Sequence, residues 1–131
     1  MSSAMPRILI VDDEADLVSV LRIGLEIEGF EVLSAADGET GLQRARAERP
    51  DLMVLDLMLP KMDGYKVCRA LKFDERFKHM PIFILSARSG EQDRRLALDM
   101  GADAFVTKPY DMADLVAKIR HRLQSPKPKA A

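Results

Sequence analysis

Five short apolar runs recur along the chain, separated by stretches whose apolar residues fall three and four apart. The runs are Arg7 to Val11, Glu31 to Ala35, Leu52 to Asp56, Pro81 to Ser86 and Ala104 to Thr107. They are short, mostly apolar and often β-branched, as strands covered on both faces are. After the first run, Leu17, Val20, Leu21, Gly24, Leu25 and Glu28 follow helical spacing, with the apolar members on one stripe and Gly29 as the stop. Met112, Leu115, Val116, Ile119 and Leu123 make a similar stripe in the last segment, and Asp111 stands ahead of it as N-cap. Asp37 with Thr40, Asp63 with Gly64, and Ser89 with Gly90 and Glu91 mark the entries of the second, third and fourth helices.

Alternation of strand and helix at this size implies right-handed crossovers and a parallel sheet with helices on both faces. The expected architecture is therefore an α/β three-layer sandwich of five strands and five helices. A length of 131 residues suits one domain, which we place at residues 5–124. Beyond Leu123 the sequence Gln-Ser-Pro-Lys-Pro-Lys-Ala-Ala cannot continue a helix, and residues 125–131 read as a tail or linker.

Charge and composition narrow the field by exclusion. The formal charge is −1, without the basic excess that tracks a nucleic-acid backbone, so direct nucleic-acid binding is not expected. No apolar run approaches membrane-spanning length, and Met1-Ser-Ser-Ala-Met5 lacks the charged and apolar regions of a secretory signal. A cytoplasmic location is expected. The single Cys68 has no internal disulfide partner, which suits a reducing compartment, and with Val67 and Leu71 it reads as core. His79 and His121 show no spacing that suggests a metal.

The chemistry gathers where the apolar runs end. Asp12 and Asp13 close the first run, Asp56 the third and Lys108 follows the fifth. In a sheet of order 2-1-3-4-5, strands 1 and 3 are neighbours, and ligands collect beyond the carboxyl ends of the strands at that reversal. Three carboxylates meeting there would repel one another unless a divalent cation sits among them, while the lysine faces an arriving anion. Mg²⁺ usually takes one or two carboxylates and keeps several waters. The expected arrangement is thus direct ligation by Asp13 and Asp56, Asp12 acting through water, and the Met58 carbonyl as a further oxygen. Taken singly, these residues allow plainer readings: Asp12 and Asp13 as caps of the first helix, Asp56 as a turn residue, Ser86 as a cap, Lys108 as a loop charge and Phe105 as core. Those readings do not explain why the polar residues share one end of the sheet.

Asp12-Asp13, the run Asp56-Leu-Met-Leu-Pro60-Lys-Met-Asp-Gly64, Ser86-Ala87, Phe105 and Lys108-Pro109 together resemble the receiver domain of two-component response regulators, in order and spacing, from about Pro6 to Leu123. The resemblance implies a flavodoxin-like receiver fold. It makes Asp56 the acceptor of a phosphoryl group from a histidine kinase, a phosphotransfer protein or a small phosphodonor, with Mg²⁺ as cofactor. Lys108 would offer a positive charge to one phosphoryl oxygen, aimed by Pro109, and Ser86 with the Ala87 backbone N–H would serve another. Drawing Ser86 toward that group would let Phe105 turn inward, altering a face formed by the fourth helix, fifth strand and fifth helix for a downstream protein or effector domain.

Two positions by the site are variable in that family. Met58 and Arg88 provide no general base to orient water toward the acyl phosphate, so they are expected to lengthen its lifetime. This pair also resembles receivers that precede winged-helix DNA-binding domains, which makes the chain a candidate fragment of a longer transcription regulator. A homodimer through the fourth helix, fifth strand and fifth helix would then draw on Arg94 with Asp114 and Asp103 with Lys118, although Ala104 and Tyr110 depart from that subgroup. The domain is not expected to be an enzyme beyond promoting its own phosphorylation and dephosphorylation. An aspartate-nucleophile phosphatase of the haloacid dehalogenase kind needs a second aspartate where Met58 stands, and a flavin phosphate would be repelled by Asp12-Asp13-Glu14.

Overall fold

The computed structural model describes residues 5–88 and 90–124. Ser89 and the tail at 125–131 lie outside the described residues. The elements run β1 (Arg7–Val11), α1 (Ala15–Ile27), β2 (Glu31–Ala35), α2 (Gly38–Glu48), β3 (Leu52–Leu55), α3 (Gly64–Lys72), β4 (Ile82–Ser86), α4 (Glu91–Asp99), β5 (Ala104–Thr107) and α5 (Met112–Gln124). All neighbouring strands pair in parallel, in the order β2-β1-β3-β4-β5.

Side chains of successive strand residues point to opposite faces, and the sheet divides the core accordingly. Leu9, Val11, Met53, Leu55, Ile82, Ile84 and Phe105 pack with Leu42 and Ala45 of α2, Val67, Cys68 and Leu71 of α3, and Ala97 of α4. Ile8, Ile10, Leu52, Val54, Phe83, Leu85 and Val106 face Leu21 and Leu25 of α1 and Leu115, Val116 and Ile119 of α5. Two helices therefore cover one face and three the other.

Two strands are one residue shorter than their apolar runs. Asp56 leaves β3 although its N–H still donates to the Val11 carbonyl, and Pro81 precedes β4 while its carbonyl accepts the Met53 N–H. The stripe of α1 also differs. Leu21 and Leu25 are buried and Leu17 partly so, whereas Val20 points outward with Ile23 and Ile27. The buried line runs through Leu17, Leu21 and Leu25 at i, i+4 spacing, and Val20, one residue before Leu21, falls about 100° around the helix from it; Met112 of α5 lies over Gly24.

The helix entries follow the local chemistry. Asp37 Oδ1 accepts the Thr40 N–H at 2.7 Å, Asp63 Oδ1 the Lys66 N–H at 2.9 Å and Asp111 Oδ2 the Asp114 N–H at 3.3 Å. Helix α4 starts at Gly90, which provides no side-chain cap. Gly29, at φ 96°, turns the chain out of α1 in the left-handed region.

Candidate phosphoacceptor and metal site

The carboxyl ends of β1, β3, β4 and β5 bring the predicted polar residues to one edge of the sheet. Val11 pairs with Leu55 and Ser86 with Thr107, so Asp12 and Asp56 leave adjacent strands side by side, with Ser86 and Lys108 on the next two. Ligand oxygens of Asp12, Asp13 and Asp56 lie within 4.8 Å of one another. Asp12 and Asp56 are buried, and Asp13 is exposed. Hard, anionic oxygens at this spacing are the donor set that Mg²⁺ takes, and the open side at Asp13 leaves room for its waters.

Lys108 bridges the group. Its Nζ lies 3.0 Å from Asp12 Oδ2, 3.5 Å from Asp56 Oδ2 and 2.6 Å from Glu14 Oε1. Burial works against the ammonium charge, but the hydrogen bonds that Lys108 donates to Glu14 and Asp12 and the charges of Asp12 and Asp56 outweigh it and hold Lys108 above the ordinary lysine range. Burial pushes the Asp56 carboxyl above the usual carboxylate range. The Asp12 charge adds to that, against the pull of the Met58 N–H and of Lys108. The carboxylate cluster is thus only partly balanced by the lysine. The Lys108–Pro109 peptide bond is cis.

Three of these residues share one local device. Asp12 Oδ1 accepts the Glu14 N–H at 2.9 Å, Asp56 Oδ1 the Met58 N–H at 3.1 Å and Ser86 Oγ the Arg88 N–H at 3.0 Å. Each side chain is fixed by a turn onto the amide two residues ahead. This geometry separates the site from plain helix capping: Glu14, not Asp12 or Asp13, is the N-cap of α1, and Ser86 is fully buried one loop away from α4.

Gly64 packs against the loop that carries Asp56. A Cβ there would fall on the backbone of Asp56 and Leu57, with Leu57 Cα at 2.7 Å, so the start of α3 packs directly against that loop. Phe105 is buried, its ring turned into the α2–α4 side of the core, and the Arg94 guanidinium lies 5.3 Å from its centroid. The inward position of the ring is the one this structure holds.

Contacts around the site reach further than the motif residues. Arg88 Nη1 meets Met58 Sδ at 3.7 Å, Arg88 Nη2 pairs with Asp93 Oδ1 at 3.3 Å, and the Tyr65 hydroxyl donates to the same oxygen at 3.3 Å. Glu14, Asp93 and Tyr65 carried no signal in the sequence, because each acts through a contact across a loop and not through its own spacing. The charges expected to pair between protomers are engaged within the chain. Asp103 meets Lys72 at 2.9 Å and Arg122 at 3.6 Å and accepts the Ile82 N–H, while Asp114 pairs with Lys118 at 3.1 Å along α5.

Residues 8–120 match the family described as response regulator receiver domain. The chain is 43% identical over 120 residues to the DNA-binding dual master transcriptional regulator RpaA of Synechocystis, covering 92% of this chain and 50% of that protein. It is 43% identical over 114 residues to the alkaline phosphatase synthesis transcriptional regulatory protein PhoP of Bacillus subtilis, covering 87% and 47%. The chain thus spans about half the length of these relatives. Among solved structures, the CheY-like response regulator receiver domain protein of Methanospirillum hungatei superposes with a TM-score of 0.85 at 31% identity, covering 91% of this chain and 94% of that one.

Proposed function

Since the chain belongs to the response regulator receiver domain family, we propose that residues 5–124 form the receiver, that Asp56 accepts the phosphoryl group, and that the resulting charge switches a protein-binding face. The observation that carries this reading is the convergence of three carboxylates within 4.8 Å of one another on a lysine that bridges two of them. Asp12, Asp13 and Asp56, with the Met58 carbonyl, would hold Mg²⁺. When bound, the ion neutralises charge on the acceptor carboxylate and on the phosphoryl oxygens.

The remaining chemistry belongs to side chains of this protein. An Asp56 oxygen forms the new bond to phosphorus as the bond to the donor's leaving atom breaks, and that electron pair departs with the donor. Lys108 turns from its carboxylate partners toward a phosphoryl oxygen. Ser86 and the Ala87 N–H take another, moving the loop after β4 and fixing the inward place of Phe105. Met58 and Arg88 cover the acceptor without providing a base that would orient water, which favours a long-lived acyl phosphate. The domain modifies itself and turns over no substrate.

Its partners are a histidine kinase or phosphotransfer protein upstream and a downstream protein or effector domain, in the cytoplasm. Among the described residues no helix is long and apolar enough to cross a membrane. A regulatory role within a longer DNA-binding regulator is favoured by the match to half of relatives named as such. A homodimer through α4, β5 and α5 would redirect Asp103 from Lys72 and Asp114 from Lys118, and it needs apolar contact besides those exchanges.

Incubation with a small phosphodonor and Mg²⁺, followed by intact-mass measurement, tests the reading. One phosphoryl adduct is expected on the wild type and none on Asp56→Asn. No adduct with any donor would overturn it.

A further inference from the structure

A line of contacts leads out of the acceptor pocket to the surface of the α2–α4 side. Met58 holds Asp56 Oδ1 through its N–H, and its sulfur meets Arg88 across the mouth of the site. The other terminal nitrogen of Arg88 is held by Asp93 Oδ1, in the first turn of α4, and Tyr65 of α3 anchors that same oxygen. Arg88 itself is more than half exposed, whereas the Asp93 carboxylate is 19% exposed. An arginine this exposed keeps one pose only when something fixes its end. Met58 exerts little pull, because a thioether is a weak acceptor. The fixed end is Asp93.

We infer that Asp93 is a positioning residue for loss of the phosphoryl group: from α4 it holds Arg88 across Met58 over Asp56, and so ties the lifetime of the acyl phosphate to the position of α4. The inference rests on the acceptor role of Asp56 proposed above. In the hydrolysis it restrains, the water oxygen forms a bond to phosphorus as the phosphorus–Asp56 oxygen bond breaks. The bond pair returns to the carboxylate, orthophosphate leaves, and the proton of the water passes to solvent. None of the three linked side chains takes that proton. Their part is to obstruct the line along which water reaches phosphorus. A partner that engages Asp93 with a cation of its own would release Arg88 and shorten the signal, whereas one that leaves the pair intact would preserve it.

The experiment is a decay cycle on the full chain. Wild type, Asp93→Asn, Arg88→Ala and the double variant are phosphorylated with a small donor and Mg²⁺, the donor is removed, and the adduct is followed by intact mass. Asp93→Asn is expected to decay roughly two- to fivefold faster, the range open to an ion pair of this exposure. The rate of adduct formation is expected to stay at the wild-type value. In the Arg88→Ala background the Asp93 substitution is expected to add nothing, which a general loosening of α4 would not produce. Tyr65→Phe, which keeps the ring and removes only the anchoring hydroxyl, is expected to move decay in the same direction by a smaller factor, and it keeps the test decisive if Asp93→Asn does not fold. Unchanged decay, or additive effects in the double variant, would overturn the inference while leaving Asp56 as acceptor. Absence of any wild-type adduct would overturn both.

Discussion

Single residues divide sharply into those whose role follows from a strand end and those that need the fold. Asp12, Asp13, Asp56, Ser86 and Lys108 were legible because each directly follows or ends an apolar run, and parallel pairing leaves them no other place to go. Glu14 was not, since its importance lies in a 2.6 Å contact with a residue 94 positions away. Removal of the Asp13 carboxylate, the exposed member of the trio, tests the metal reading: Asp13→Asn is expected to weaken Mg²⁺ binding by about tenfold or more, read by titration of the metal alone. Ser86→Ala is expected to accept phosphate at Asp56 yet fail to change partner affinity, measured by binding of a downstream partner before and after phosphorylation. Cys68 gives a pH-dependent expectation. Burial pushes its thiol from 9.0 up to about 11, and its Sγ lies 3.5 Å from the Met100 carbonyl. Below pH 9 the folded and unfolded thiols are both protonated and the buried thiol's contribution to stability is fully present. It is lost as the pH rises through the folded value, where the unfolded chain has already released its proton. At pH 8 the unfolded thiol is both more ionised and open to solvent, so a disulfide reagent should react faster in denaturant than with the folded protein.

At the level of elements, periodicity and caps mark the helices, and the departures from them come from packing that periodicity does not contain. Val20 faces outward because the sheet meets the Leu17, Leu21 and Leu25 line, and Met112 sits on Gly24 in a contact between the first and last helices. Two glycines make the difference between a flexible and an inflexible neighbour measurable. Gly24→Ala meets only the mobile end of Met112, at 2.5 Å from its Cε, and exchanges a poor helix former for the best. Its stability should lie within about 1 kcal/mol of wild type. Gly64→Ala meets backbone of the acceptor loop, which cannot step aside. A loss of about 2 kcal/mol or more is expected in denaturant unfolding, together with slower phosphorylation, because the Cβ displaces the peptide that carries Asp56. Asp63, just before it, caps α3 through the Lys66 N–H, and Asp63→Ala should cost about 1 kcal/mol.

Over the whole molecule, alternation of strands and helices determined the sandwich, and handed crossovers left few orders for the sheet. What the sequence did not disclose was the internal use of surface charge. Asp103 joins α3, β4 and α5 through Lys72, Ile82 and Arg122, so a residue that the family resemblance marks for contact between protomers acts instead as a tie within one. Sedimentation with and without a phosphodonor should therefore show a monomer before phosphorylation. A stable unphosphorylated dimer through α4, β5 and α5 would contradict the engagement of these charges.

The shared turn at Asp12, Asp56 and Ser86 has a consequence for how such a protein diverges. Each reactive side chain is steadied by the amide of the residue two ahead, and an amide is present whatever that residue is, proline excepted. The side chains at positions 14, 58 and 88 can thus drift without disturbing the pose of the groups that perform the chemistry. On the function proposed here, Glu14 would set how firmly the lysine is held, while Met58 and Arg88 would set how long the acyl phosphate lasts. On that reading, substitution at these positions would reset the clock of the switch and leave its chemistry intact.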